Sequence, residues 1–194
     1  MKFPYLSAAF LLLAVIAILA GCSSAPSPPV SPTPVAYTNL SQLVLSGTDI
    51  PFRVMAEKNQ NPDMRDPTIS QFGATRGYSQ FVMNQTADSA TTVQLGQVIV
   101  EYPPGNAALA FATFVNQSRN TNQSQYKLTW LPDPGIGDRS SALTVTDSTG
   151  ATKPTAMIVF TKANIMESVV LVSPSLDMDF LTRAARLAAA KIPA

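Results

Sequence analysis

The stretch AMIVFTKANIMESVVLVS, residues 156–173, constrains the fold of this chain more than any other. Apolar and β-branched residues fill both halves of it, as is typical of β-strands. The residues KAN at 162–164 separate the halves, and asparagine at 164 is a residue type that tolerates the left-handed conformation of a tight turn. The stretch therefore predicts two antiparallel strands joined by a hairpin turn.

Other segments also have the residue pattern of strands. In TVQLGQVIVEY, residues 92–102, apolar Val98 and Val100 lie on one face of the predicted strand. The opposite face carries Val93, Leu95, Gln97, Ile99 and Glu101. Because both faces hold apolar residues, we expect a central strand. Further predicted strands are FRVMAEKN (52–59), YSQFVMNQ (78–85), YKLTWL (126–131) and SALTVTD (141–147), the last as an exposed strand.

Two segments instead have helical spacing. AALAFATFVNQSR, with Asn106 as a cap, predicts a helix near residues 106–119. Near the C-terminal end, Ser173 suits an N-cap and Pro174 suits the first helical position. The buried stripe expected for this second helix comprises Phe180, Leu181, Ala184, Leu187, Ala188 and Ile192. Together the segments predict an α+β fold, an antiparallel β-sheet packed by an internal helix and a C-terminal helix.

The N-terminal residues have the order of a secretory signal peptide. Lys2 is followed by an apolar run from Leu6 to Ala20 and then by the polar, proline-rich SSAPSPPVSPTP. The alternative is an uncleaved membrane span. Such a span needs about 20 apolar residues, and this run is shorter and has no basic residues behind it.

The single cysteine of the chain lies directly after this run. Leu19-Ala20-Gly21-Cys22 resembles the lipobox of prokaryotic lipoproteins, bacterial or archaeal. The resemblance implies that Cys22 receives a lipid and becomes the first residue of the mature chain, which the lipid holds on the outer face of the cell membrane. Two acyl chains anchor a protein stably without a spanning helix.

These features divide the chain into three parts. Residues 1–21 are the expected lipoprotein signal peptide, and residues 22–37 are the lipidated cysteine with a Pro/Ser-rich tether. Residues 38–194 are long enough for one domain with a substantial core and short for two. We therefore expect a single α+β domain, which no internal disulfide can stabilise.

Charge and composition exclude several classes of function. Without Lys2 the mature chain has 12 basic and 12 acidic side chains, so we expect no nucleic-acid partner. The chain contains no histidine, which removes the commonest general base and metal ligand. Ser124 and Lys127 have the S-x-x-K spacing of some acyl-enzymes, but the partner motifs are missing. We expect no catalytic residue, no metal and no cofactor; a histidine-independent hydrolase is the remaining enzymatic alternative.

The polar segment NPDMRDPTISQFGATRGY, residues 61–78, is the candidate binding region. Arg65, Arg76 and Tyr78 place arginines beside an aromatic residue, which suits an anionic ligand. The alternative is a solvated loop packed by its own apolar residues. Four asparagines match the glycosylation acceptor pattern: Asn39, Asn84, Asn116 and Asn122.

The order of elements resembles surface lipoproteins of bacteria and archaea. A strand ends at YP, a helix with an A..AF seam follows, and a GD turn introduces three strands, as VIVEYPPGNAALAFATF, GIGDRSSALTV and IVFTKANIMESVVLVS show. Related-looking folds are the PsbP/Mog1-like domains and the extracellular sensor domain of a mycobacterial receptor kinase. The resemblance implies binding or sensing at the cell envelope, although the disulfides of that sensor domain have no counterpart here.

Two functions follow from these observations. The leading hypothesis is a non-enzymatic, lipid-anchored domain that binds a small apolar or amphipathic molecule or senses at the envelope. The alternative is a module that binds another envelope protein. The first predicts an apolar pocket of about 300–1,000 Å³ between sheet and helices, and the second predicts an exposed apolar patch.

Overall fold

The structure is a computed structural model of the 194-residue chain. It describes residues 39–50, 56–60, 62–85, 92–120, 126–149 and 152–193, of which 56–60, 84, 85 and 92 are described by their backbone alone. The signal segment, Cys22, the tether and Asn122 lie outside these residues. Among the residues so described, no helix is long and apolar enough to span a membrane.

The described residues form seven strands and three helices, after a single helical turn at Leu40–Gln42. The strands are β1 (Ala56–Gln60), β2 (Arg76–Gln85), β3 (Thr92–Glu101), β4 (Tyr126–Leu131), β5 (Arg139–Asp147), β6 (Thr155–Lys162) and β7 (Ile165–Val172). The helices are α1 (Pro67–Ser70), α2 (Asn106–Asn120) and α3 (Met178–Lys191).

The strands make one antiparallel sheet in the order β1-β2-β3-β7-β6-β5-β4. The strongly apolar strands β3, β7 and β6 occupy its middle, because only strands with two apolar faces can be covered on both sides. The α+β class, the hairpin of β6 and β7 and the internal helix are confirmed.

Each face of the sheet packs against one long helix. Helix α3 covers the face that carries Leu95 and Ile99 of β3, which we call the α3 face. Helix α2 packs on the opposite face, the α2 face, where Phe111 and Val115 contact Val159 of β6. The alternation of side chains along β3 thus assigns its two apolar sets to two different helices.

The C-terminal helix begins later than predicted. Its N-cap is Asp177, whose carboxylate accepts a hydrogen bond from Phe180 N at 2.8 Å, and not Ser173. Ser173 still belongs to the end of the sheet, since its N–H donates to Pro154 O. The buried stripe is also rotated from the prediction: Leu187 is 44% exposed, whereas Ala185 is buried.

Two other local predictions are wrong. Ala163, and not Asn164, takes the left-handed conformation in the β6–β7 turn, with φ of 52°. Strand β5 is not an exposed strand, because Leu143 and Val145 are buried beneath α2 and neighbouring side chains. The polar segment before β2 contains the short helix α1, whose Ile69 packs against Tyr102.

Candidate functional site

The two faces of the central strand β7 are covered unequally. Its residues on the α3 face are buried, whereas those on the α2 face, Met166, Ser168, Val170 and Val172, are half-buried. Because β7 is the middle strand of seven, this partial exposure lies over the centre of the sheet and not at its rim. Helix α2 therefore leaves part of its face open.

This opening is a groove, which we call the α2 groove, with a cavity volume of about 100 Å³. Three neighbouring strands, β3, β7 and β6, supply its floor, and each strand contributes every second residue, the one on the α2 face. The floor includes Gly96, Val98, Met157, Val159, Ser168 and Val170. Most of these side chains are aliphatic, so the floor is apolar.

The two helices on this face form the walls of the α2 groove. Thr113, Phe114 and Gln117 line it from α2, where a spacing of one turn places Thr113 and Gln117 side by side. Thr68 and Ile69 line it from α1, which Asp66 caps by accepting a hydrogen bond from Thr68 N at 2.9 Å. The short helix that the sequence did not indicate is thus part of the site.

Gly96 keeps the floor open beneath an aromatic ring. It pairs with Phe81 across β2 and β3, and a Cβ at Gly96 would lie 2.9 Å from Phe81 Cε1. The ring therefore lies directly against the glycine backbone, a close approach that a side chain at position 96 would prevent. Phe81 consequently forms the wall of the groove on the β2 side.

The residues that line the α2 groove in the described part of the chain are uncharged. Their polar members are hydroxyl and amide side chains, among them Thr68, Ser168 and Gln117. Burial, together with the negative charge of Asp66, raises the pKa of Tyr102 to about 12, so its phenol is neutral at physiological pH. The groove offers an apolar surface with neutral hydrogen-bonding groups, and no pair of titratable side chains for acid–base chemistry.

The predicted ligand-binding residues lie away from this groove. Arg76 and Tyr78 share the α3 face of β2, where Arg76 Nε donates to Glu101 Oε2 at 2.6 Å and Tyr78 packs against the core. Arg65 is exposed in the segment before α1. The structure therefore brings two of the three onto one face, and binding by these residues stays a prediction.

The structure describes three of the four predicted glycosylation sites. Asn116 is exposed on α2, and Asn39 is exposed with its side chain accepting a hydrogen bond from Ser41 N at 3.0 Å. Asn84 belongs to β2, where only its backbone is described, and Asn122 lies outside the described residues. Their use as glycan acceptors stays a prediction.

A buried carboxyl group, that of Glu167, lies inside the core on the α3 face. The carboxyl of Glu167 is fully buried and accepts a hydrogen bond from Gln97 Nε2 at 2.6 Å. Gln97 Oε1 in turn accepts from Leu45 N at 2.7 Å. In the part of the chain that the structure describes, no cluster of three His, Cys, Asp or Glu residues is arranged to hold a metal ion.

Sequence reasoning missed the groove because each of its residues has an ordinary structural role by itself. Two signals were available. Val98 and Val100 make the second face of β3 apolar, and Gly96 interrupts an otherwise ideal strand, which often marks close approach of another group. What the sequence could not show is that one helix would cover this face only partly.

Comparison with known proteins supports the fold. No family model and no curated protein matches this chain. Among solved structures, the chain is similar to the extracellular domain of PknH from Mycobacterium tuberculosis, with a TM-score of 0.58 and 15% sequence identity. The match covers 82% of this chain and 97% of the PknH chain. The seven-stranded sheet and its helices therefore share the fold of a mycobacterial receptor-kinase extracellular domain.

Proposed function

We propose that this chain is a lipid-anchored domain on the outer side of a prokaryotic membrane and that its α2 groove binds the apolar part of a small amphipathic molecule. The domain binds this molecule without catalysing a reaction. One observation carries the proposal. The surface at the centre of the sheet is apolar and only half-buried, and none of the described side chains that line it is charged.

The energetic reason for an occupant lies in the floor residues. A sheet face that meets water normally carries polar side chains, yet β3 and β7 present Val98, Val170 and Met166 there. Each square ångström of apolar surface that a ligand removes from water contributes about 25 cal/mol. An apolar group bound in the groove therefore removes from water the apolar floor residues that α2 does not cover.

The cellular location is supported by two independent features. The apolar run and the lipobox-like segment ending at Cys22 are typical of an exported, lipid-modified chain. The PknH domain of similar fold is extracellular. Both favour a domain tethered outside the cytoplasm, with the membrane as its first partner through the lipid on Cys22.

The proposal of a non-enzymatic role is supported by the chemistry of the groove. The chain has no histidine, and the described groove lining has no carboxylate, lysine or arginine. Its titratable group, the phenol of Tyr102, has a pKa of about 12 because of burial and therefore does not exchange protons near neutral pH.

The alternative, a protein-interaction module, has less support. Within the described ranges the exposed large hydrophobic residues are Leu109 on α2 and Leu187 on α3, on helices that pack against opposite faces. They do not form one patch. The α2 groove lies where a ligand pocket was expected, although about 100 Å³ is smaller than the roughly 300–1,000 Å³ of pockets for drug-sized ligands.

Photolabelling tests the proposed function. The full chain is extracted from its membranes into copolymer discs without detergent, exposed to a short alkyl diazirine and illuminated, and the labelled peptides are identified by mass spectrometry. We expect labels on β3 and β7 residues of the groove floor. The substitution Val98→Trp should fill the groove and reduce this labelling at least tenfold.

Leu109→Trp is the matched control, because Leu109 is exposed on α2 and does not line the groove. This variant should label like the wild type. Val170→Trp provides a second blocking variant, and circular dichroism establishes that each variant is folded. Labelling of the floor that persists in both folded blocking variants, or no floor labelling in the wild type, would show that the groove does not bind apolar molecules.

A further inference from the structure

The shape of the α2 groove indicates which class of apolar molecule fits it, which its polarity alone does not. Tyr102 lines one end, next to the β3–β7 pair formed by Glu101 and Ile165. Thr155 lines the other end, where it pairs with Val172. Seven residue steps along β7 separate Ile165 from Val172, which corresponds to about 23 Å at the rise of a strand.

A volume of about 100 Å³ distributed over this length describes a narrow furrow and not a rounded chamber. The furrow is confined on the β2 side by Phe81, whose ring rests on Gly96, and on the other side by Phe114 of α2. Aromatic side chains therefore line the furrow on both sides. A straight hydrocarbon chain needs less breadth than a group with several fused rings, so it suits a groove of this small volume better.

Some side chains that line the furrow can change conformation to fit a ligand, and they are apolar. Met157 and Met166 line it, and the unbranched thioether side chain of methionine adjusts to irregular neighbours. The described lining carries no charge along its length. A charged group would lose its hydration there without gaining a partner, so an ionised headgroup must stay outside.

We propose that the occupant of the α2 groove is a single linear hydrocarbon chain, such as one acyl chain of a lipid, with its headgroup outside the furrow. This inference rests on the proposed function and adds the ligand class to it. The chain lies along β3 and β7 between Tyr102 and Thr155. Two sources have this chemistry, a single-chain lipid in solution and one chain of a diacyl lipid in the membrane.

Competition against the diazirine label tests the ligand class. Saturated 1-monoacylglycerols of increasing chain length, each below its critical micelle concentration, are titrated against labelling of the full chain in copolymer discs. Expressed against the free aqueous concentration of the monoacylglycerol, each added methylene should tighten competition about fourfold until the furrow is full, after which the gain should stop. A fused-ring sterol of similar apolar area should compete at least tenfold more weakly than the best monoacylglycerol.

Thr155→Trp is the sharpest variant, because it closes one end of the furrow and leaves the floor at Val98 in place. It should shift the plateau to shorter chains. Leu109→Trp, outside the groove, should leave the whole series unchanged.

The outcomes separate this inference from the proposed function. Floor labelling by the diazirine with no dependence on chain length, or equal competition by the sterol, overturns the linear-chain ligand and leaves an apolar site standing. Absence of floor labelling overturns both. To assign the source, discs are prepared with diacyl lipids that carry a chain-terminal diazirine: labelling of the floor identifies the membrane lipid, and competition by monoacylglycerol alone identifies the free one.

Discussion

Gln97 Nε2 donates a hydrogen bond to Glu167 Oε1 at 2.6 Å in the interior of the sheet. Burial raises the pKa of Glu167 from 4.5 to about 8, and the hydrogen bond from Gln97 and the positive charge of Lys191 only partly oppose this effect. The carboxyl is therefore protonated at neutral pH. The same glutamine accepts from Leu45 N, so this buried group holds the backbone at Leu45 against the sheet.

The first prediction concerns Glu167→Gln and pH. The folded carboxyl keeps its proton to about pH 8, whereas the unfolded one loses it near 4.5. The contribution of Glu167 to stability is therefore full below pH 4.5 and is lost as pH rises to 8, by up to about 1.4 kcal/mol per pH unit. Relative to wild type, the variant should gain a few kcal/mol between pH 5 and 8.

Chemical denaturation of both proteins across this pH range measures the difference. A constant difference in unfolding free energy between wild type and Glu167→Gln would contradict a raised pKa.

The second prediction uses the strained turn between β6 and β7. Ala163 has φ of 52°, a conformation that costs a residue with a Cβ about 1 kcal/mol or more. Ala163→Gly should therefore stabilise the domain by about 0.5–1 kcal/mol, after the entropic cost of glycine is subtracted. The thermal midpoint should rise by roughly 1–4 °C.

The matched control is Ala156→Gly in the buried interior of β6, where φ is not positive. There the same substitution should destabilise, because glycine loses packing and adds flexibility to the unfolded chain. If Ala163→Gly lowers the midpoint as Ala156→Gly does, the turn is not strained at Ala163.

The third prediction compares two leucines of α3. Leu181 is fully buried and Leu187 is 44% exposed. Leu181→Ala should destabilise by about 2–5 kcal/mol, whereas Leu187→Ala should change stability by no more than about 0.5 kcal/mol. Urea denaturation distinguishes them. Similar losses at both positions would place Leu187 in the core, as the sequence alone suggested.

The fourth prediction concerns the anchor. Cys22→Ala removes the thiol that lipid attachment requires, so the protein should move from the membrane fraction into soluble or unprocessed forms. Ser23→Ala, one residue along, should remain in the membrane fraction. Fractionation and intact mass measure both. Unchanged membrane retention of Cys22→Ala with its signal segment intact would favour a spanning N-terminal helix.

The sequence predicted those parts of the fold that depend on local pattern. Alternation in β3 identified a central strand, the apolar stretch 156–173 identified the hairpin of β6 and β7, and helical spacing identified α2 within one residue of its ends. These segments were predictable because their burial pattern follows the period of their own backbone.

The features that the sequence did not predict depend on contacts between elements that are distant in sequence. Ser173 has the side chain of an N-cap, but its N–H completes the sheet and α3 starts at Asp177. Leu187 fits an apolar stripe, but the small alanines Ala185 and Ala189 let the helix approach the sheet with a different face. The α2 groove depends on how far one helix covers three strands, which no local pattern encodes.

The most direct measurement is a native mass spectrum of the full chain, extracted without detergent from its own membranes. We predict a lipidated chain that retains a non-covalent adduct of the mass of a lipid with a linear hydrocarbon chain, and loss of that adduct in Val98→Trp but not in Leu109→Trp. A lipidated wild-type chain without any adduct, or an adduct that Val98→Trp retains, would contradict binding in the α2 groove.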